Sequence, residues 1–278
     1  MGKKTGRLEQ ILQELGLNGR IEVEVLSQQL KVNTSTIRRD LEYLERQGKL
    51  RRVHGGAVPA DTLSYSAYAN ELTFQENINK HVDEKSQIAA LAAQQIKPGD
   101  TIALSPGTTT TYLARAIRQL QITNLTVVTN AINIAMELSG VKDINLNLTG
   151  GLFLPDFFAL VGPQAEQSLN ETFVAKAFVG VTGLSVEHGL TGPNQLEALT
   201  HRLTLQRARK TYVLADHTKL DQVALYRICP LNMIHTIITD EAASPEIVNN
   251  LRNAGVEVLQ PSRSRLVELP AQPAGAIK

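Results

Sequence analysis

Four β-rich apolar runs are each followed at once by small polar residues. Ser105-Pro106-Gly107-Thr108-Thr109-Thr110 follows Leu104, Thr129-Asn130 follows Val128, Thr149-Gly150-Gly151 follows Leu148, and Asp216-His217-Thr218-Lys219 follows Ala215. The first of these runs opens a helix. Gly107 lets the backbone come close to a bound group, hydroxyls and free N–H groups face the helix start, and the helix dipole favours an anion there. Lys219 offers the compact positive charge that a phosphate or carboxylate needs. Each feature also has a purely structural use. A strand-to-helix turn requires glycine and a capping hydroxyl whatever it binds, and Lys219 also reads as a surface lysine paired with Asp216. The recurrence of polar runs at successive strand ends is what points to a phosphate cradle.

A second group of chemistry-bearing residues lies near the N-terminus. Thr34, Ser35, Thr36, Arg38 and Arg39 open an amphipathic stretch, and Arg51, Arg52 and His54 follow Gly48. Helix-start N–H groups meet phosphates, and arginines reach phosphates or the base acceptors of a major groove. The alternative is an ordinary solvated arginine face on a small helical bundle.

Charge favours a polyanion partner for that segment. The net charge of the 278-residue chain is only +1, but residues 1–60 hold 11 Lys+Arg against 7 Asp+Glu, while the remainder holds 17 against 20. A basic head is thus joined to a mildly acidic body. With 42% apolar residues and 20% charged, the chain buries a sizeable core and is not disordered throughout. Aromatics make up 4% and Trp is absent, so aliphatic side chains must build that core. The single cysteine, Cys229, excludes an intramolecular disulfide and a Cys-rich zinc site. The six histidines fit no metal-ligand spacing, and no Walker loop, Ser/His/Asp or Cys/His arrangement is present. No metal, cofactor or catalytic residue is therefore expected. The N-terminus lacks a signal-peptide core, and no run nears the roughly 20 apolar residues of a membrane span, which implies a cytoplasmic protein without membrane contact.

The elements that position these residues follow from periodicity. Leu8, Ile11, Leu12 and Leu15 predict a helix over Arg7–Leu15, ended by Gly16 and Gly19. After an extended stretch at 20–22 comes a helix over Val23–Leu30 with Val25, Leu26 and Leu30 inward. A third helix, capped by Asn33, Thr34 or Ser35, runs to about Gln47 with Ile37, Leu41 and Leu44 inward. Lys49 to Val58 reads as a basic hairpin. Together these describe a winged helix-turn-helix over residues 1–58. Residues 59–79 form a connection whose Tyr65, Tyr68 and Phe74 dock on a neighbouring domain or subunit. From Lys85 the chain alternates helices with short strands, which predicts an α/β domain over 80–260 with a mainly parallel sheet and ligands at the strands' carboxyl ends. Residues 261–278, with Pro270 and Pro273, read as a disordered tail.

The string Val32-Asn33-Thr34-Ser35-Thr36-Ile37-Arg38-Arg39-Asp40-Leu41, followed by Leu44 through Ala57, resembles the N-terminal signature of the DeoR family of bacterial transcriptional regulators. The resemblance extends from Arg7 to Asp240 through Lys85-x-x-Ile88-Ala89, Gly107 to Thr110, Val128-Thr129-Asn130, Thr149-Gly150-Gly151, Gly180-x-x-Gly183, Gly189 and Asp216-x-x-Lys219. It implies a body similar in fold to ribose-5-phosphate isomerase that binds a phosphorylated sugar and thereby weakens operator binding. Carried over by position, it places Gly107, Thr108, Thr109 and Thr110 on the phosphate, with Gly150, Gly151, Asp216 and Lys219 lining the sugar pocket. Ser105, Asn130, Glu197 and His201 complete the candidate effector site. Two positions depart from the family pattern. Ser105 stands where an aspartate is usual, and His201 follows Glu197 where a lysine is common.

The reading is a repressor of a carbohydrate-metabolism operon, not an enzyme, with operator DNA, a sugar phosphate and further copies of itself (dimer or tetramer) as partners. One alternative is a sugar-phosphate isomerase-like enzyme with an accessory DNA-binding domain, using Lys219 as electrophile and Glu197 or Asp216 as base. The other is a regulator whose body only oligomerises.

Overall fold

The computed structural model describes residues 3–18, 21–53, 55–59, 74–120 and 122–261, divided into compact units at Ala67/Tyr68. The expected roles of Gly19, His54, Tyr65, Tyr68 and the 262–278 tail lie outside the described residues.

In the first unit α1 (Lys3–Asn18) runs through Gly16, so that glycine does not end it. An interior glycine costs only about 1 kcal/mol, which burial of Ile11 and Leu15 on the same helix offsets. β1 (Ile21–Glu22) leads into α2 (Val23–Gln29), and α3 (Thr34–Arg46) precedes the hairpin of β2 (Leu50–Val53) and β3 (Gly56–Pro59). β3 pairs with both β1 and β2. Ile37, Leu41 and Leu44 are buried as expected. Val25 is not, being 47% exposed, while Val23 is buried in its place. On a helix Val23, Leu26 and Leu30 share one face by their i, i+3, i+7 spacing, whereas Val25 points about 160° away. Sequence periodicity also did not mark Asp40, which is buried and held by Arg7 at 2.5 and 3.2 Å.

The second unit opens with α4 (Phe74–Ile78) and α5 (Val82–Ala93). Phe74 packs on Phe158 of this same unit, with ring centroids 4.9 Å apart. Then follow β4 (Thr101–Leu104), α6 (Thr108–Gln119), β5 (Leu125–Thr129), α7 (Ile132–Leu138) and β6 (Ile144–Leu148). A hairpin, β7 (Leu152–Leu154) with β8 (Ala159–Val161), and α8 (Pro163–Asn170) interrupt the alternation. β9 (Val174–Gly180), β10 (Gly183–Ser185), β11 (Gly189–Gly192), α9 (Gln195–Gln206), β12 (Ala208–Leu214), β13 (Tyr226–Cys229), β14 (Thr236–Ile238), α10 (Pro245–Asn253) and β15 (Glu257–Leu259) complete the chain of described elements.

Among the described residues the main sheet has seven strands, all parallel, in the order β15-β14-β12-β9-β4-β5-β6. Helices cover both faces of such a sheet, so its strands are apolar on both sides. Ile102, Leu104, Phe178 and Leu214 pack towards one set of helices, while Val179, Val213 and Ile237 pack towards the other. β10, β11 and β13 form a small antiparallel sheet that the βα alternation did not announce. The strand order has one consequence for the site. β4, β5 and β6 proceed in one direction while β9, β12, β14 and β15 proceed in the other, so the sheet's topological switch lies between β4 and β9, where a crevice opens at the carboxyl ends. No helix among the described residues is long and apolar enough to cross a membrane.

Candidate functional site

The start of α3 is organised by Asn33, whose side chain accepts the Ser35 N–H at 2.9 Å and satisfies one of the helix's orphan donors. Ser35, Arg38 and Arg39 are exposed, and Thr34 and Thr36 are half-buried. Arg38 lies 3.9 Å from Glu24, with both side chains about two-thirds exposed, so that pair is loose. Arg39 makes no ion pair among the described residues. The hairpin arginines differ. Glu45 of α3 accepts the Arg52 main-chain N–H and its Nε, both at 2.8 Å, and these bonds hold the Glu45 carboxyl below its ordinary range. Arg52 is therefore a strut between α3 and the wing. Arg51 is half-buried, with its Nε buried and without a hydrogen-bond partner. The unit presents exposed cations and unfilled helix-start donors on one element, the arrangement that contacts a nucleic-acid backbone.

In the second unit a cleft of about 540 Å³ opens at the switch point. The β4–α6 loop supplies Pro106, Gly107, Thr108 and Thr109, the end of β9 supplies Gly180, and the turn after β12 supplies Asp216, Thr218 and Lys219. α9 contributes Glu197 and His201. Gly107 caps α6 at φ +143°, a conformation that L side chains rarely adopt, and a Cβ there would meet the Thr110 hydroxyl at 3.2 Å. The Gly107 carbonyl accepts the hydroxyls of Thr110 at 2.9 Å and Thr111 at 2.7 Å. Thr110 thus locks the turn from behind, and Thr108 and Thr109 face the cleft beside the first-turn N–H groups.

Asp216 is buried and accepts the N–H of Thr218 at 3.0 Å together with its hydroxyl. No ion pair joins it to Lys219, whose ammonium has no acidic partner among the described residues. Lys85 is a further cation of the cleft that sequence reading used only as a family landmark. Its ammonium is buried and donates to the carbonyls of Asn77 and Lys80. Burial pushes it down to about 8, opposed by Asp216 and reinforced by Lys219. The signal was present in the sequence: Lys85 shares the i, i+3, i+4, i+7 stripe of Ile88, Ala89 and Ala92, where a charge has no reason to sit unless it is used. Glu197 is almost fully enclosed, and burial raises its carboxyl to about 8.

Five of the expected effector residues do not line this cleft. Ser105 is buried behind the loop, donating to the Pro106 carbonyl at 3.0 Å and accepting the Gly180 N–H at 3.1 Å, so it ties β4 to β9. Thr110 is engaged as described. Asn130 donates to the Leu160 carbonyl at 2.9 Å. Gly150 and Gly151 lie beside α8 and β8, and a Cβ on Gly151 would meet the Val161 carbonyl at 2.6 Å. For Asn130, Gly150 and Gly151 the physical reason is strand order: the ends of β5 and β6 fall beyond β4, on the side away from β9 and β12.

A DeoR-like helix-turn-helix domain matches residues 7–62 and a DeoR C-terminal sensor domain matches residues 80–241. The chain belongs to the DeoR family. It is a DNA-binding transcriptional regulator, and the members it resembles are named as regulators, not enzymes. It is 34% identical over 253 residues to a putative aga operon transcriptional repressor of Escherichia coli, covering 91% of this chain and 92% of that one. It is 34% identical over 246 residues to the lactose phosphotransferase system repressor of Lactococcus lactis subsp. lactis, covering 88% and 94%. Among solved structures, ribose 5-phosphate isomerase A of Methanocaldococcus jannaschii aligns over 51% of this chain and 55% of its own at 20% identity, with a TM-score of 0.38.

Proposed function

We propose that this regulator represses a carbohydrate-metabolism operon in the cytoplasm and that a phosphorylated sugar in the switch-point cleft lowers its affinity for operator DNA. The carrying observation is convergence: a helix start, a Lys219 without an ion-pair partner among the described residues and a buried Lys85 meet at one crevice, which Lys80, Asp156 and Asp216 also line. The names of the Escherichia coli and Lactococcus relatives support the sugar-operon reading. Residues 1–58 read the DNA, 59–79 transmit, and 80–260 sense. A single small module binds DNA weakly, so a homo-oligomer engages paired half-sites. Linkage supplies the mechanism: an effector that prefers the DNA-incompetent arrangement shifts the population off the operator.

The test is a titration of hexose and pentose monophosphates against a fluorescent operator complex. At least one should raise the operator Kd about tenfold or more, and Lys219→Ala should abolish that response while leaving ligand-free operator binding unchanged. If no phosphate moves the operator Kd and Lys219→Ala behaves like the parent, the sensor reading fails.

A further inference from the structure

The cleft carries its cations on the α5 and β12 side, but α9 presents two groups of another kind. Glu197 and His201 lie one turn apart on α9, both line the cleft, and they are 9% and 3% exposed. His201 Nδ1 is 2.9 Å from the Glu197 main-chain carbonyl. A carbonyl only accepts, so Nδ1 carries the ring proton and Nε2 of the neutral ring is an acceptor. That Nε2 is buried without any hydrogen-bond partner. The Pro106 carbonyl also lies beside the ring, but it makes no hydrogen bond with Nε2. Burial holds His201 below its ordinary range, against the weaker pull of the Glu197 and Pro106 carbonyls, so the ring stays uncharged near neutrality. Glu197 keeps its proton in the same range. This wall therefore offers a bare acceptor and a protonated carboxyl, neither of which stabilises a negative charge as a lysine would.

Resting on the sensor reading above, we propose that His201 determines specificity: its unpartnered Nε2 accepts a hydrogen bond from a ligand hydroxyl, so the cleft takes a sugar monophosphate and turns away one that carries a second anion at that end. A buried acceptor without a donor is costly, and a hydroxyl relieves that cost. A second phosphate or a carboxylate would face the Nε2 lone pair and repel it.

Thermal shift and calorimetry on the full-length protein test this with inorganic phosphate, a panel of hexose and pentose monophosphates, their deoxy analogues and the matching bisphosphates. For the parent, one monophosphate should bind at least tenfold more tightly than its bisphosphate and than one of its deoxy analogues. In His201→Leu the deoxy penalty should vanish, with inorganic phosphate binding unchanged. His201→Gln, whose amide oxygen also accepts, should recover part of the discrimination. His201→Lys should instead favour the bisphosphate. Folding of His201→Leu is checked by an unchanged or raised Tm, as expected when an orphan acceptor is removed. If phosphates bind but His201→Leu weakens inorganic phosphate and sugar phosphate equally, or the bisphosphates bind as well as the monophosphates, this proposal is overturned and the sensor reading stands. If neither inorganic phosphate nor any sugar phosphate binds the parent, the sensor reading falls and this proposal with it.

Discussion

Burial of Glu197 without a cation beside it has a measurable cost. Its carboxyl is raised from 4.5 to about 8, so within that window the unfolded chain releases a proton that the folded chain keeps. Stability contributed by the protonated form is complete below pH 4.5 and is lost as pH rises towards 8. Glu197→Gln should remove this slope, making the variant more stable than the parent by about 2–4 kcal/mol at pH 8 and near-equal at pH 5. Urea unfolding across that range reads the difference, and parallel curves for the two proteins would refute the buried-acid assignment. Lys85 gives the complementary signal. At about 8 it is half-protonated near pH 8, and an arriving phosphate dianion favours the charged form. Binding at pH 8 should take up a fraction of a proton, seen by calorimetry in buffers of different ionisation enthalpy. Lys85→Arg, always charged, should reduce that uptake. Asp216 and Lys219 were legible as a polar run at a strand end, whereas Glu197 and His201 came into view only through the family resemblance. Lys85 was missed because its apolar stripe was read for packing alone.

Among the described residues the Glu45–Arg52 ion pair ties the wing to its helix, beside the burial of Leu50 against α3. Glu45 grips both the main chain and the side chain of Arg52, so Glu45→Gln loosens the hairpin without opening the core. Because the pair is largely exposed, the stability loss should stay below about 1 kcal/mol. Operator affinity should fall several-fold, measured by anisotropy beside a thermal melt; unchanged affinity would show that the wing does not contribute. The boundaries of α7 and α10 follow from local punctuation, with Pro245 opening α10 and Gly255 following it. The small antiparallel sheet of β10, β11 and β13 was not legible, because its strands are three or four residues long and pair across intervening elements.

The whole molecule carries a basic head and a mildly acidic body. Long-range charge attracts DNA to the head, but it does not draw an anion to the body, so attraction in the cleft has to be local. Operator binding should therefore weaken steeply with salt, while sugar-phosphate binding should respond less. Linkage makes the coupling reciprocal: the factor by which a sugar phosphate raises the operator Kd must equal the factor by which operator raises the sugar phosphate Kd. Measuring both at one salt concentration checks this. Unequal factors would mean that one of the two titrations had not reached equilibrium.

The amino-acid sequence by itself determined the two-part organisation, the winged helix-turn-helix, the parallel α/β body and the Gly107 helix start. These rest on local periodicity, capping and turn chemistry, which a linear string carries. Only the tertiary structure decided which polar strand ends share a cleft. Four runs looked equivalent along the chain, but the reversal of strand order between β4 and β9 gathers the loops of β4, β9 and β12 and leaves Asn130, Gly150 and Gly151 beyond β4, away from β9. Hydrogen bonding between strands remote in sequence sets that order.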